Sequence, residues 1–363
     1  MTRVLMTSDA VGGVWQYALE LAGALDGVQV TLALLGPSPD ADQRAAAARV
    51  PGLRLVETGL PLDWLAEGPG PVLDAGRAVA RLAADIGAEV VHLNTPALAA
   101  GGGFATPVVA MNHGCLGTWW DAAGKGPVDP ALGWLPELVG RGLRVADRVV
   151  APTRAYADEI ARRYALPVRP VAVHNGRTPL PLPQPRDAVP LAGALTAGRL
   201  WDEVKNTSVL DQVAARIDAP FVAIGATRAP HGAVVRAEHL RLTGPLPAAD
   251  LAGWLARRPV FVSAARFEPF GLAVLEAAQA GCPLVLSDIA TFRELWDGAA
   301  LFGNPDDPDA FAAAITGLLA DSAAREARGQ AARARAARYT PAAMAAAMTA
   351  IYADARAAGT RAA

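Results

Sequence analysis

Short aliphatic runs alternate along this chain with longer stretches in which apolar positions recur every three to four residues. That is the pattern of buried strands followed by amphipathic helices. Val4-Leu-Met6 is the first run, followed by the turn Ser8-Asp-Ala-Val-Gly-Gly-Val-Trp15 and a helix from Tyr17 to Leu25. Strands follow at Val28 to Leu35 and around Leu53 to Val56, then a helix from Val72 to Ile86 and a strand from Glu89 to Leu93. A further strand from Val108 ends at Asn112, so His113 falls at a carboxyl end. A helix from Pro130 to Ala146, a strand from Arg148 to Ala151, a helix from Tyr156 to Tyr164 and a last strand at Val171 complete the half. Repeated strand-helix units predict a parallel sheet of Rossmann-like type, whose ligands bind at the carboxyl ends of the strands.

The alternation then stops. Pro179, Pro181, Pro183, Pro185 and Pro190 put five prolines in twelve residues, which fits an extended connector and neither helix nor sheet. It restarts with strands at Ala192 to Ala197, Phe221 to Ile224, Leu240 to Thr243 and Val260 to Val262, and helices ending at Ile217 and spanning Ala248 to Arg257. From Phe311 the pattern is helical, with a break at Tyr339-Thr-Pro341. The expected organisation is a first domain over 1–178, a proline-rich linker over 179–190, a second domain over 191–340 and a terminal helix over 341–363.

Composition narrows the class. The 363 residues are 52% hydrophobic and 19% charged, enough apolar material for two ordinary domains. A formal net charge of −2 and a pI near 6.2 argue against a nucleic-acid partner. Cys115 and Cys282 form neither a disulfide framework nor a metal-ligand spacing, which suits a reducing compartment. No leader-like segment precedes the first strand and no uncharged run is long enough to span a membrane. A cytoplasmic protein is expected, with at most peripheral contact at the inner membrane face.

The candidate chemistry concentrates in Ser263 to Ser287. Here an apolar run breaks into a loop carrying Glu268, Gly271 opens an alanine- and leucine-rich helix, and Gly281-Cys-Pro283 ends it. A helix start offers unpaired N–H groups and the positive end of a dipole, and a glycine there lets a ligand approach the backbone. Glu276 lies over one turn into that helix among apolar neighbours: either it faces solvent on a polar stripe, or it is buried and its carboxylate needs donors such as ribose hydroxyls. Arg199 and Lys205, between a strand and a helix, are either solvated loop cations or a pair placed where a pyrophosphate would sit. At the other end of the chain, Gly12-Gly13 lacks the third glycine of a dinucleotide fingerprint, and the second strand ends at Gly36-Pro37 with no acid, so NAD is not expected. Trp119 and Trp120, in a presumed loop, form either a stacking platform for an acceptor or a cover for the core. Asp307-Pro-Asp309 has the form of a metal-binding pair, but its place before a helix favours capping.

Glu268-Pro-Phe-Gly-Leu-Ala-x-x-Glu276-Ala followed by Ala-Gly-Cys-Pro-Leu-Val resembles the signature of family 4 of the retaining glycosyltransferases. Gly198-Arg-Leu with Lys205-Asn206, and His113-Gly114, match further motifs of that family. The resemblance implies a GT-B fold, two Rossmann-like α/β lobes facing each other across a cleft. It implies transfer of a sugar from a nucleoside diphosphate sugar, such as UDP-glucose or GDP-mannose, to a hydroxyl of a sugar, lipid-linked glycan or small molecule, with no cofactor and no metal. Arg199 and Lys205 would hold the diphosphate, Glu276 the ribose, and His113, Glu268 and the amides at Phe270, Gly271 and Leu272 the transferred sugar. Gly12 and Gly13 would lie against the diphosphate and acceptor. The base-reading contacts would come from residues 225–238, with Arg228, His231 and His239 unassigned. Two alternatives keep the fold: a nucleotide-sugar-binding protein without chemistry, and a sugar phosphorylase or epimerase.

Overall fold

The computed structural model describes residues 1–183, 192–230 and 232–362, with side chains as far as residue 358. Most of the proline-rich linker, together with His231, lies outside the described residues. The chain divides into two compact units, Met1–Gly176 with Thr340–Ala363, and Arg177–Tyr339.

The first unit runs β1 (Thr2–Ser8), α1 (Gly13–Ala24), β2 (Val28–Leu34), α2 (Ala41–Ala48), β3 (Leu53–Glu57), α3 (Pro69–Asp85), β4 (Val90–Leu93), β5 (Val108–Met111), α4 (Leu116–Ala122), α5 (Trp134–Val145), β6 (Arg148–Ala151), α6 (Arg154–Tyr164) and β7 (Val171–Ala172). All its strands are parallel, in the order β3-β2-β1-β4-β5-β6-β7. β4 and β5 are buried at every position, as sheets covered on both faces by helices require. Local signals set the helix starts. Asp40 and Gln43 form a reciprocal capping box on α2, and Thr153 caps α6 by accepting from the Tyr156 N–H.

The second unit runs β8 (Ala194–Ala197), α7 (Thr207–Ala214), β9 (Phe221–Ile224), β10 (Arg241–Gly244), α8 (Ala248–Ala256), β11 (Val260–Ser263), α9 (Leu272–Ala280), β12 (Leu284–Ser287), α10 (Ala290–Trp296), β13 (Ala300–Gly303), α11 (Pro308–Ala320) and α12 (Ser322–Ala336). Its sheet is also parallel, ordered β10-β9-β8-β11-β12-β13. The helical tail expected from Phe311 is interrupted at Asp321, which closes α11 and caps α12 through the Ala324 N–H.

The last helix, α13 (Pro341–Ala362), belongs to the first unit, where Met344, Met348, Ile351 and Tyr352 enter the core built by β1, β2 and α1. Gly176 and Thr340 come close enough that a Cβ on Gly176 would stand 2.2 Å from the Thr340 carbonyl oxygen. Strand order reverses between β1 and β4 in the first sheet and between β8 and β11 in the second. Crevices at such reversals are where open α/β sheets take ligands.

Candidate active site

In the second unit, the loops after β8 and β11 carry the candidate residues. The turn Glu203–Lys205 leads to Asn206, which takes a left-handed conformation (φ 61°) and donates from Nδ2 to the carbonyls of Ala264 and Pro305. Arg266 N–H donates to Val204 O at 2.8 Å, tying the two loops together. Lys205 Nζ thereby reaches Glu268 Oε2 at 2.6 Å. Each side chain of this pair is about one-fifth exposed, at 20%. Gly271 caps α9 in the left-handed region (φ 89°), and a Cβ there would press on Glu268 Cγ at 3.2 Å and Phe292 Cε1 at 3.2 Å. Glycine is favoured by the backbone conformation, and a Cβ would need Glu268, Phe292 and Val274 to give by a few tenths of an ångström. No side chain caps α9, so its first-turn N–H groups keep their donor capacity. One crevice is lined by Gly198, Lys205, Ser263, Glu268, Ala273 and Val274.

Arg199 does not line that crevice. Its guanidinium donates to Asp202 Oδ2 at 2.9 Å, lies 5.6 Å from the Trp201 ring and is half exposed. Phe270 is buried, edge-to-face with Tyr339 at 5.7 Å, so its side chain belongs to the core and only its backbone is left for a ligand. Leu272 is the first residue of α9 and is partly buried.

Glu276 is largely buried and not on a solvated stripe, and its donor is one the sequence did not single out. Arg177 Nε donates to Glu276 Oε1 at 2.8 Å, with both side chains under 15% exposed (12% and 14%). Gln279 Nε2 holds the Arg177 carbonyl at 2.7 Å. Arg177 directly follows Asn175-Gly176 at the start of the second unit.

In the first unit, Gly12 is the extended N-cap of α1 and Gly13 its first residue, at the carboxyl end of β1. His113 follows β5. Its Nε2 lies 2.8 Å from Asn94 Oδ1, and the Tyr17 ring stands edge-on at 4.4 Å. Although the residue as a whole is partly exposed, desolvation of the imidazole, reinforced by the neighbouring His92, lowers its pKa to about 3. His113 is neutral at physiological pH. His92, fully buried on β4, is lowered to about 4 by desolvation, against the raising effect of its bond to Asn94.

The tryptophan loop is a correction. Trp119 and Trp120 lie on α4, whose N-cap is Cys115 with no side-chain capping bond, so the usual start signal is missing. Their rings are 6.2 Å apart at 59°, Lys125 Nζ sits within 5.7 Å of both centroids, and Trp120 Nε1 donates to Pro127 O at 3.2 Å. Both tryptophans are half-buried and share that ammonium. Asp307 caps α11 by accepting from Asp309 N and Ala310 N, and Asp309 pairs with Arg216. Among the described residues no cluster of three or more His, Cys, Asp or Glu is placed to hold a metal, and no described helix is long and apolar enough to cross a membrane.

Comparison with known proteins agrees on both halves. Residues 11–178 match the model of Glycosyltransferase Family 4, and residues 193–321 that of Glycosyl transferases group 1. Glycogen synthase of Mycobacterium tuberculosis is 30% identical over 282 residues, 68% of this chain and 64% of that protein. O-antigen chain mannosyltransferase B of Escherichia coli is 37% identical over 87 residues, 24% of this chain and 23% of that protein. The matches thus span less than two thirds of these relatives' lengths. Among solved structures, sucrose-phosphate synthase of Thermosynechococcus elongatus superposes with a TM-score of 0.75 at 18% identity, covering 99% of this chain and 100% of that one. The Anabaena protein HepE, in complex with UDP and glucose, gives 0.71 at 16% identity over 98% and 100%. The fold is GT-B.

Proposed function

The chain belongs to the family 4, group 1 glycosyltransferases, and from that membership we propose that it moves a sugar from a nucleoside diphosphate sugar to a hydroxyl-bearing acceptor, with retention at the anomeric carbon and without a metal. The observation that carries this reading is the Lys205–Glu268 pair set against the uncapped start of α9. In the transfer, the anomeric carbon–oxygen bond breaks and its electron pair leaves on the diphosphate. The acceptor oxygen bonds to the same face of that carbon, and its proton passes to the departing phosphate oxygen. Charge grows on the leaving group, so donors fixed beforehand around it do most of the catalysis.

Lys205 and the first-turn amides of α9 supply those donors. Arg199 adds a second cation by exchanging Asp202 for phosphate. Glu268 orients the transferred sugar and offsets the Lys205 charge until the diphosphate arrives; it is not a nucleophile. Glu276 has one oxygen on Arg177 and offers the other to the ribose hydroxyls. Phe270, Gly271 and Leu272 contribute backbone, Gly12 and Gly13 the close approach for diphosphate and acceptor, and His113 a contact to the transferred sugar. HepE binds UDP and glucose, which favours a UDP-linked donor for the first trial. The reading is tested by thermal shift with UDP-glucose, GDP-mannose and UDP-N-acetylglucosamine, then by NMR of the product's anomeric configuration with and without chelator. A ligand bound only by the folded state raises the melting temperature. No shift with any nucleotide sugar, an inverted product, or activity abolished by chelator contradicts the corresponding part.

A further inference from the structure

Asn94 is the hub of a buried run of uncharged hydrogen bonds in the first unit. Its Nδ2 donates to Thr7 O at 2.7 Å and its backbone N–H donates to Thr7 Oγ1 at 3.0 Å. The amide can face only one way, since turning it over would set its carbonyl oxygen against the Thr7 carbonyl. Oδ1 is then the shared acceptor for two imidazoles, His113 Nε2 at 2.8 Å and His92 Nε2 at 3.1 Å. Both nitrogens must therefore carry their hydrogens. His92 Nδ1 is left bare and accepts from the Tyr352 hydroxyl at 2.6 Å, on α13. The Tyr17 ring, edge-on to His113 at 4.4 Å and to His92 at 6.0 Å, fills the adjoining space with carbon.

We propose that Asn94, backed by His92 and Tyr352, is a positioning device that holds His113 as its neutral Nε2–H tautomer, so that Nδ1 serves only as an acceptor for a sugar hydroxyl. This rests on the sugar role of His113 proposed above. The depressed pKa values of both imidazoles agree with it, because a second proton on either ring would sit in a site built from neutral groups. The substrate consequence is specific. The sugar must present a hydroxyl as donor to His113, and fluorine at that carbon, which accepts and cannot donate, loses the contact.

The test is NMR of the 15N-histidine-labelled full chain, whose five histidines are assigned by loss of signal in His113→Gln and His92→Gln. Expected is a protonated Nε2 and a bare Nδ1 on His113 from about pH 8 down to about pH 5. In Asn94→Ala, His113 should become a mixture of tautomers with kcat/KM down about tenfold. In Asn94→Asp, the Nε2–H form should return with a raised His113 pKa, so kcat/KM declines on the acid side. A proton on Nδ1, titration of wild-type His113 near about pH 6.5, or an unchanged tautomer in Asn94→Ala overturns the proposal. Should Asn94→Ala not fold, the wild-type spectrum and Tyr352→Phe decide, the latter by moving the His92 Nδ1 resonance or, against the proposal, leaving it in place. Full activity in His113→Gln would instead remove the sugar role of His113 while leaving the tautomer result standing.

Discussion

Beside the strand-order reversal of the first domain, the side chains around Asn94 are uncharged and bonded to one another. At that of the second, the candidate side chains are paired ions. His92, Asn94, His113 and Tyr352 form a neutral network with set tautomers, whereas Lys205–Glu268 and Arg177–Glu276 match two cations with two anions. The same doubly wound topology therefore carries two kinds of preparation. A neutral network directs hydrogen bonds at hydroxyls without bringing charge into the site. An ion pair keeps a cation and an anion ordered until a ligand of stronger charge replaces one partner, and it does so at modest cost because both groups retain some solvent.

The largest effect that sharpens the contrast is expected on the charged side. Lys205→Ala should slow transfer by roughly two to three decades, as for removal of one donor to developing charge, measured as turnover with whichever donor gives the thermal shift. Unchanged turnover would remove Lys205 from the chemistry.

The neutral side should announce itself through acid. An imidazole whose folded pKa lies below its unfolded value stabilises the protein fully above about pH 6.5 and loses that contribution as pH falls towards the folded value. His92, held down at about 4, is fully buried, and its contribution is about 3 kcal/mol. Asp63 and Glu159 act in the opposite sense, because burial raises them to about 6 and about 7. The effect is therefore read as a difference: between pH 7 and pH 4, urea unfolding of wild type should lose stability relative to His92→Gln. Parallel curves would contradict the neutral assignment.

A smaller loss is expected for Glu276→Ala, which removes the bond from Arg177 Nε and the proposed ribose acceptor. Donor affinity by calorimetry should fall about ten- to a hundredfold, as for hydrogen bonds to a charged group. Equal affinity would show that the ribose is held elsewhere. Smallest, Gly271→Ala should lower stability by about 1–2 kcal/mol because alanine is strained at that left-handed position. A stability equal to wild type would mean that the α9 entry relaxes freely, and with it the placement of Glu268.

Much of the fold was legible because the signals are local. Buried aliphatic runs separated by helical periodicity gave both parallel sheets, and glycine at 271 with acids at 268 and 276 marked the start and first turns of α9. The partners were not legible, because each is fixed by contacts far apart in sequence. Arg177 and Glu276 are 99 residues apart, Lys205 and Glu268 63, and His92 and Tyr352 260. Asn94 was within reach, since it stands at the carboxyl end of a strand by the same reasoning that singled out His113. The α4 helix escaped because nothing polar caps it, and the placement of Arg199 on Asp202 is a choice among local partners that spacing alone does not decide.

The proposed transfer depends on Lys205 reading the outer phosphate. Calorimetry with nucleoside mono- and diphosphates of uridine and guanosine, on wild type and Lys205→Ala, isolates that contact. Wild type should bind the diphosphate of its preferred base at least about tenfold more tightly than the monophosphate, and Lys205→Ala should abolish most of that difference. A variant that keeps the full preference for the diphosphate would contradict the assignment.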